Sequence, residues 1–344
     1  MAPSTAELYS AAVLGAATYF IIWRRKRAER QQTSWVAAKE WAETRAAFSK
    51  LTADNLLVIT DFDATITTGD SEQCHDVMGN SKLLPTAFRK EFAPLLDWTT
   101  NAAIDGVEWW DAAHGLMIKH GTPPRAIIPR LVREAKMVPR PGALELLKRL
   151  EMLHVPVLIV SAGLTDVIEE FLRQHGALSE NITICSNRLN YAGDSTPKSV
   201  SPEKPITSFT KEYAYESAST FFTEHAKRRA IIQLGDSVTD VDPARHVPYE
   251  HLLSVGFLNA RPDPTKHYQT FDAIIHGNAG SLLPVSDLLD EIAPEPTILR
   301  SISNASLNSL GLDRASFSRL PRLLSLSTGE PMAVLPSSPT APAA

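Results

Sequence analysis

Asp61 and Asp63 stand two residues apart in "ITDFDATITTGD" (59–70), directly after the apolar run "LLVIT" (56–60). Two like charges at the end of a buried strand repel one another unless a cation joins them. The same chain later offers Ser161 in "SAG", Lys211 in "FTKEY", and Asp236 and Asp240 in "GDSVTD". Each acidic residue alone reads as an ordinary cap or turn residue. Together they form an oxygen-rich set suited to Mg2+, which takes hard oxygen ligands and keeps waters and phosphate oxygens in its shell. Such an ion removes the repulsion that otherwise raises a carboxylate pKa. The Ser161 hydroxyl and the N–H groups of Ala162 and Gly163 lie near the start of a helix, where anions are favoured. Lys211 adds a point charge for phosphate.

The elements that must position these residues are apolar runs: "LLVIT" (56–60), "VPVLIV" (155–160), "ITICS" (182–186), "AIIQL" (230–234), "HLLSVGF" (251–257) and "DAIIH" (272–276). Continuous apolar strands separated by helical stretches predict an α/β fold with a parallel sheet covered on both faces. "PGALELLKRLEMLH" and "LTDVIEEFLRQHG" are such helices, the second closing at Gly176. In an open α/β sheet the carboxyl ends of the strands line the ligand crevice, and the polar motifs follow those ends. "SWVAAKEWAETRAAFSKL" (34–51) has its apolar residues at helical spacing and predicts a lead-in helix with Ser34 as N-cap.

Composition narrows the possible partners. The net charge of -5 and the lack of a basic block interleaved with aromatics argue against nucleic acid. Two cysteines, Cys74 and Cys185, are too few for a disulfide framework or a thiolate metal site. Residues 1–30 contain the uncharged stretch Leu8–Trp23 followed by Arg24, Arg25, Lys26 and Arg27. This predicts an N-terminal membrane anchor that leaves the catalytic body in the cytosol, on the mitochondrial outer membrane ahead of the endoplasmic reticulum. From residue 294 to 344 the chain turns to Ser, Leu and Pro, the composition of a disordered tail.

The ordered motifs resemble those of the haloacid-dehalogenase superfamily of phosphatases. Asp61, Asp63 and Thr65 match its Asp-x-Asp-x-Thr motif, Ser161 the second motif, Lys211 the third, and Asp236 the fourth, with Asp240 beyond it. The resemblance implies a nucleophilic Asp61 forming an aspartyl-phosphate and a general acid and base at Asp63. It also implies Mg2+ held by Asp61, the Asp63 backbone carbonyl and Asp236. "GVEWWDAAHGLM" (106–117), "SAGLTDVIEEFLRQHG" (161–176), "LGDSVTDVD" (234–242) and "EHLLSVGFLNARPD" (250–263) are similar to the pyrimidine 5′-nucleotidase (type III) family. That likeness implies a Rossmann-like core over 31–66 and 140–293 with a helical cap inserted over 67–139. It further implies that Glu108 meets the nucleoside, with Trp109 or Trp110 stacking on the base. The expected activity is hydrolysis of nucleoside 5′-monophosphates, pyrimidine ones first. The alternatives are a related phosphatase of another small phosphomonoester, such as phosphoserine or a phosphorylated headgroup, and a non-catalytic membrane-tethered scaffold.

Overall fold

A computed structural model describes residues 35–37, 41–97, 106–193, 195–259 and 264–293. Eight strands form one sheet: β1 (Trp35–Ala37), β2 (Leu56–Thr60), β3 (Val157–Leu164), β4 (Ile182–Tyr191), β5 (Pro197–Ser201), β6 (Ala230–Gly235), β7 (His251–Leu258) and β8 (Ala273–His276). Their order is β1-β8-β7-β6-β2-β3-β4-β5. All neighbours from β8 through β4 run parallel, while β1 and β5 close the two edges antiparallel.

The burial of β2 explains its composition. Leu56 and Val58 join one apolar cluster and Leu57 and Ile59 the other, so successive residues meet opposite layers of the fold. Both faces are covered, and a continuous apolar run is the sequence such a strand requires. The helix Thr165–Gln174 buries Val167, Ile168, Phe171 and Leu172 along one stripe. It is followed by Gly176 at φ 62, a left-handed position that glycine takes without strain.

Because β2 lies between β6 and β3, the chain leaves the sheet centre in opposite directions from neighbouring strands. Such a switch point opens a crevice at the strand ends. Asp61, Ser161 and Asp236 all sit there.

Between β2 and β3 the chain makes the helices Cys74–Asn80, Thr86–Leu96, Gly106–Lys119, Ile128–Glu134 and Ala143–Met152, and no strand among the described residues. The outgoing and returning segments run side by side. Thr67 pairs with Pro139, the Thr68 N–H donates to the Val138 carbonyl at 2.9 Å, and the Arg140 N–H donates to the Ile66 carbonyl at 2.8 Å.

Two expectations change. The helix read over 34–51 begins only at Trp41 and ends at Phe48, because Trp35–Ala37 instead pairs with the open edge of β8. Tertiary pairing overrides local helical propensity there, and Ser34 lies outside the described residues. The membrane-anchored location is also corrected. Among the described residues no helix is long and apolar enough to cross a membrane. The run Leu8–Trp23 lies outside them. Residues 294–344 likewise lie outside the described residues.

Candidate active site

The β2 ladder continues one residue past the strand, with the Asp61 N–H donating to the Leu234 carbonyl of β6 at 3.0 Å. Phe62 is fully buried edge-on against Phe171, with ring centroids 5.3 Å apart. Its carbonyl accepts the N–H groups of Thr65, Ile66 and Thr67, which curls the chain into a tight turn. Ala64 adopts φ 58 within that turn, and its N–H donates to Thr67 Oγ1 at 2.9 Å. A positive φ at a residue with a side chain is strained and persists where the surroundings impose it.

The two aspartates meet different environments. Lys211 Nζ donates to Asp61 Oδ1 at 2.7 Å and to Asp240 Oδ1 at 2.6 Å, and all three side chains are buried. Carboxylate oxygens of Asp61, Asp236 and Asp240 lie within 4.8 Å of one another. Burial pushes the Asp61 carboxyl well up, Lys211 opposes this, and the charges of Asp240 and Asp236 add to it. Burial alone would lower the Lys211 ammonium, but Asp240 and Asp61 outweigh it and hold it above its usual range. Three buried carboxylates outnumber the one ammonium among them. A hard-oxygen donor set with that charge fits one divalent cation of the Mg2+ kind.

Asp63 is held differently. The Cys74 N–H donates to its Oδ1 and Oδ2 at 3.2 and 3.3 Å, and the Cys74 thiol lies 3.6 Å from Oδ1. Burial raises its carboxyl to about 7, so near neutral pH it can both carry and release a proton. A Cβ on Gly163 would come within 2.6 Å of Cys74 Sγ and 3.0 Å of Asp63 Oδ2, so only glycine lets the second motif approach so closely.

Ser161, Ala162 and Gly163 lie at the end of β3, which runs on to Leu164 before the helix begins at Thr165. The Gly163 N–H donates to Ser161 Oγ at 3.0 Å. Asp236 follows β6, and its carbonyl contacts His267 Nε2 at 2.7 Å. The Asp240 carboxylate accepts the Ser237 N–H at 2.7 Å.

The remaining candidates lie on the helical insertion. Glu108 is exposed in the first turn of Gly106–Lys119 and is not gathered into the acidic cluster. Trp109 donates its indole N–H to the Leu95 carbonyl and packs edge-on to His75, which makes it a packing residue of the insertion. Trp110 donates instead to the Ala162 carbonyl at 2.8 Å, joining the insertion to the second motif. Its ring also stands edge-on to the exposed Phe209, two residues before Lys211.

Sequence reasoning missed Arg140, Cys74 and Asn259. Arg140 is fully buried, donates to the carbonyls of Thr65 at 2.8 Å and Ala64 at 2.5 Å, and stacks over Phe257. No local pattern marks these residues: Arg140 and Asn259 meet groups distant in sequence, and Cys74 reaches Asp63 through its own backbone N–H.

A family model described as Pyrimidine 5′-nucleotidase (UMPH-1) matches residues 63–293. A 7-methylguanosine phosphate-specific 5′-nucleotidase of Gallus gallus is 29% identical over 242 residues, covering 65% of this chain and 83% of that protein. The Homo sapiens protein of the same name is 28% identical over 269 residues, covering 73% of this chain and 89% of its own. Among solved structures, a cytosolic 5′-nucleotidase IIIB bound to cytidine superposes with a TM-score of 0.66 at 23% identity, covering 79% of this chain and 97% of that one. At that identity the likeness speaks for the fold. That neighbour is named as a cytosolic enzyme.

Proposed function

The chain belongs to the pyrimidine 5′-nucleotidase family, and on that premise we propose that it hydrolyses pyrimidine or 7-methylguanosine 5′-monophosphates through a phosphorylated Asp61, with Mg2+ held by Asp61, the Asp63 carbonyl and Asp236. At the coarser level it is a phosphoric monoester hydrolase of the haloacid-dehalogenase type, a 5′-nucleotidase acting on nucleoside monophosphates. The observation that carries the finer reading is the buried cluster of Asp61, Asp236, Asp240 and Lys211 beside a separately held Asp63.

In this reading Asp61 attacks phosphorus while the bond from phosphorus to the nucleoside O5′ breaks. Asp63, whose burial favours the protonated form near pH 7, gives its proton to that oxygen. The carboxylate it becomes then takes a proton from water. The water oxygen attacks the aspartyl-phosphate, the bond between phosphorus and Asp61 breaks, and phosphate leaves. Lys211 holds Asp61 in place, and Ser161 with the N–H groups of Ala162 and Gly163 receives the phosphoryl oxygens. Asp240 positions Lys211. When bound, Mg2+ supplies charge stabilisation for the phosphoryl group and aligns it.

Residues 67–139 serve as the cap, and 31–66 with 140–293 as the catalytic core. Glu108 and Trp110 face the nucleoside from the cap. A carboxylate accepts hydrogen bonds from the amino group of a pyrimidine, and its charge suits equally the positive charge of an N7-methylated guanine. The names of the relatives support keeping the methylated purine beside the family's pyrimidine preference.

The test is a panel of cytidine, uridine, 7-methylguanosine, adenosine and guanosine monophosphates with phosphoserine, each with added Mg2+. The expected result is a kcat/KM for at least one of the first three that exceeds phosphoserine by tenfold or more, about 1.4 kcal/mol. A preference for phosphoserine would overturn the substrate assignment.

A further inference from the structure

Arg140 and Asn259 join the two loops that carry the acidic cluster, and neither belongs to a catalytic motif. Asn259 follows β7. Its Nδ2 donates to the Ala64 carbonyl at 3.1 Å and lies 3.4 Å from Asp236 Oδ2, while its Oδ1 accepts Arg140 Nη2 at 3.0 Å. One buried amide therefore touches the Asp61–Asp63 turn, the fourth-motif aspartate and a guanidinium. Arg140 in turn binds the carbonyls of Ala64, Thr65 and Gly280 and sits where the insertion returns to the sheet.

A buried guanidinium is a weak device for stability alone, because desolvation offsets what its contacts return. What its rigid fork supplies is geometry: several acceptors fixed in one plane. The acceptors here are the carbonyls of Ala64 and Thr65, and Ala64 is the residue at φ 58. The strained turn is held from behind by a donor that reaches no reacting group. Gly69 closes the arrangement, since a Cβ there would fall 2.4 Å from Asn259 Oδ1 and 2.5 Å from its Cγ.

We propose that Arg140 and Asn259 are positioning residues that set the spacing between the Asp61 turn and the Asp236 loop, and so the affinity of the site those loops share for a divalent cation. The inference rests on the Mg2+ reading above. It concerns the bridge between the loops and not the identity of the nucleotide.

The experiment is calorimetric titration of Mg2+ into the metal-free full chain, for wild type, Asn259→Ala, Arg140→Lys and Gly69→Ala. The last leaves both positioning residues in place and only displaces Asn259. Each variant is expected to bind Mg2+ about tenfold or more weakly, in keeping with the loss of groups that orient metal ligands. At saturating Mg2+, kcat is expected to fall while KM for the nucleotide stays within about twofold, since no substrate contact is removed. Wild-type Mg2+ affinity and kcat in Asn259→Ala and Gly69→Ala would overturn the proposal, even with a lowered Tm, because the bridge would then serve stability only. If Asn259→Ala does not fold, Gly69→Ala and Arg140→Lys decide by the same criteria. Absence of Mg2+ binding by the wild-type chain would overturn the metal reading and this proposal together, an outcome distinct from equal binding by wild type and variants.

Discussion

At the scale of single residues, Asp61 and Asp63 differ in what surrounds them, and their substitutions should differ accordingly. Asp61→Asn removes the charge that Lys211 holds at 2.7 Å, and an amide is a far poorer nucleophile. Phosphate release from a nucleoside monophosphate should be lost with circular dichroism unchanged. Asp63→Asn should be severe as well, because both half-reactions require a proton to move at that position. Glu108 is the discriminating residue, since the chemistry at Asp61 suits any phosphomonoester. Glu108→Ala should cut kcat/KM on nucleotides by roughly ten- to a hundredfold, the equivalent of about 1.5–3 kcal/mol for a lost charged hydrogen bond. Turnover of a nitrophenyl phosphate should stay near wild type. Equal losses on both substrates would make Glu108 a structural residue of the insertion. Asp61 and Asp236 of the cluster were legible in the sequence because each directly follows an apolar strand. Lys211, far from any strand end, was legible only through the resemblance of its motif. Arg140 and Asn259 were not, because an isolated polar residue gives no sign that the fold will bury it against remote carbonyls.

At the scale of elements, the apolar runs located the six parallel strands, and burial on both faces dictates the composition of the central ones, β2, β3 and β6. The edges were less legible. Pro197–Ser201 and Trp35–Ala37 are short, and each becomes a strand only because a neighbour offers an unpaired edge. Packing between elements gives two further tests. A Cβ on Gly235 at the end of β6 would meet Asp240 Cβ at 2.2 Å. Gly235→Ala should therefore cost on the order of 1–3 kcal/mol in a denaturant melt and displace Asp240 from Lys211, lowering kcat. In the insertion, His75 and His114 are buried with their Nε2 atoms 3.3 Å apart. Burial lowers His114 to about 4 from its ordinary 6.5. The unfolded chain then binds more protons than the folded one between those values, so stability must rise with pH across that window. Acidification from pH 6.5 to 4 should destabilise the protein by on the order of 3 kcal/mol through His114. Chemical denaturation at several pH values should show a flatter profile for His114→Phe than for wild type.

At the scale of the whole molecule, the strand order puts β2 between β3 and β6, and residues as far as 195 positions apart in sequence, Ala64 and Asn259, meet at the carboxyl ends of the strands. The parallel architecture was legible from the alternation of apolar strands and helices, while the way the helical insertion reaches the second motif through Trp110 was not. That contact depends on the docking of one element against another. Metal binding at the shared edge should register in global stability: Mg2+ at a hundred times its Kd should stabilise the folded chain by about 2.7 kcal/mol, seen as a rise in Tm that Asp236→Asn largely removes. The central claim is that Asp61 carries the phosphoryl group, and the most direct measurement is borohydride trapping during turnover. Wild-type protein mixed with a nucleotide substrate and Mg2+ is quenched into borohydride, which reduces an aspartyl-phosphate to homoserine, and the peptides are sequenced by mass spectrometry. Homoserine at position 61, absent when substrate is omitted, is the result this account requires. Reduction at a different residue, or none at position 61 while phosphate accumulates in the same quenched sample, would contradict it.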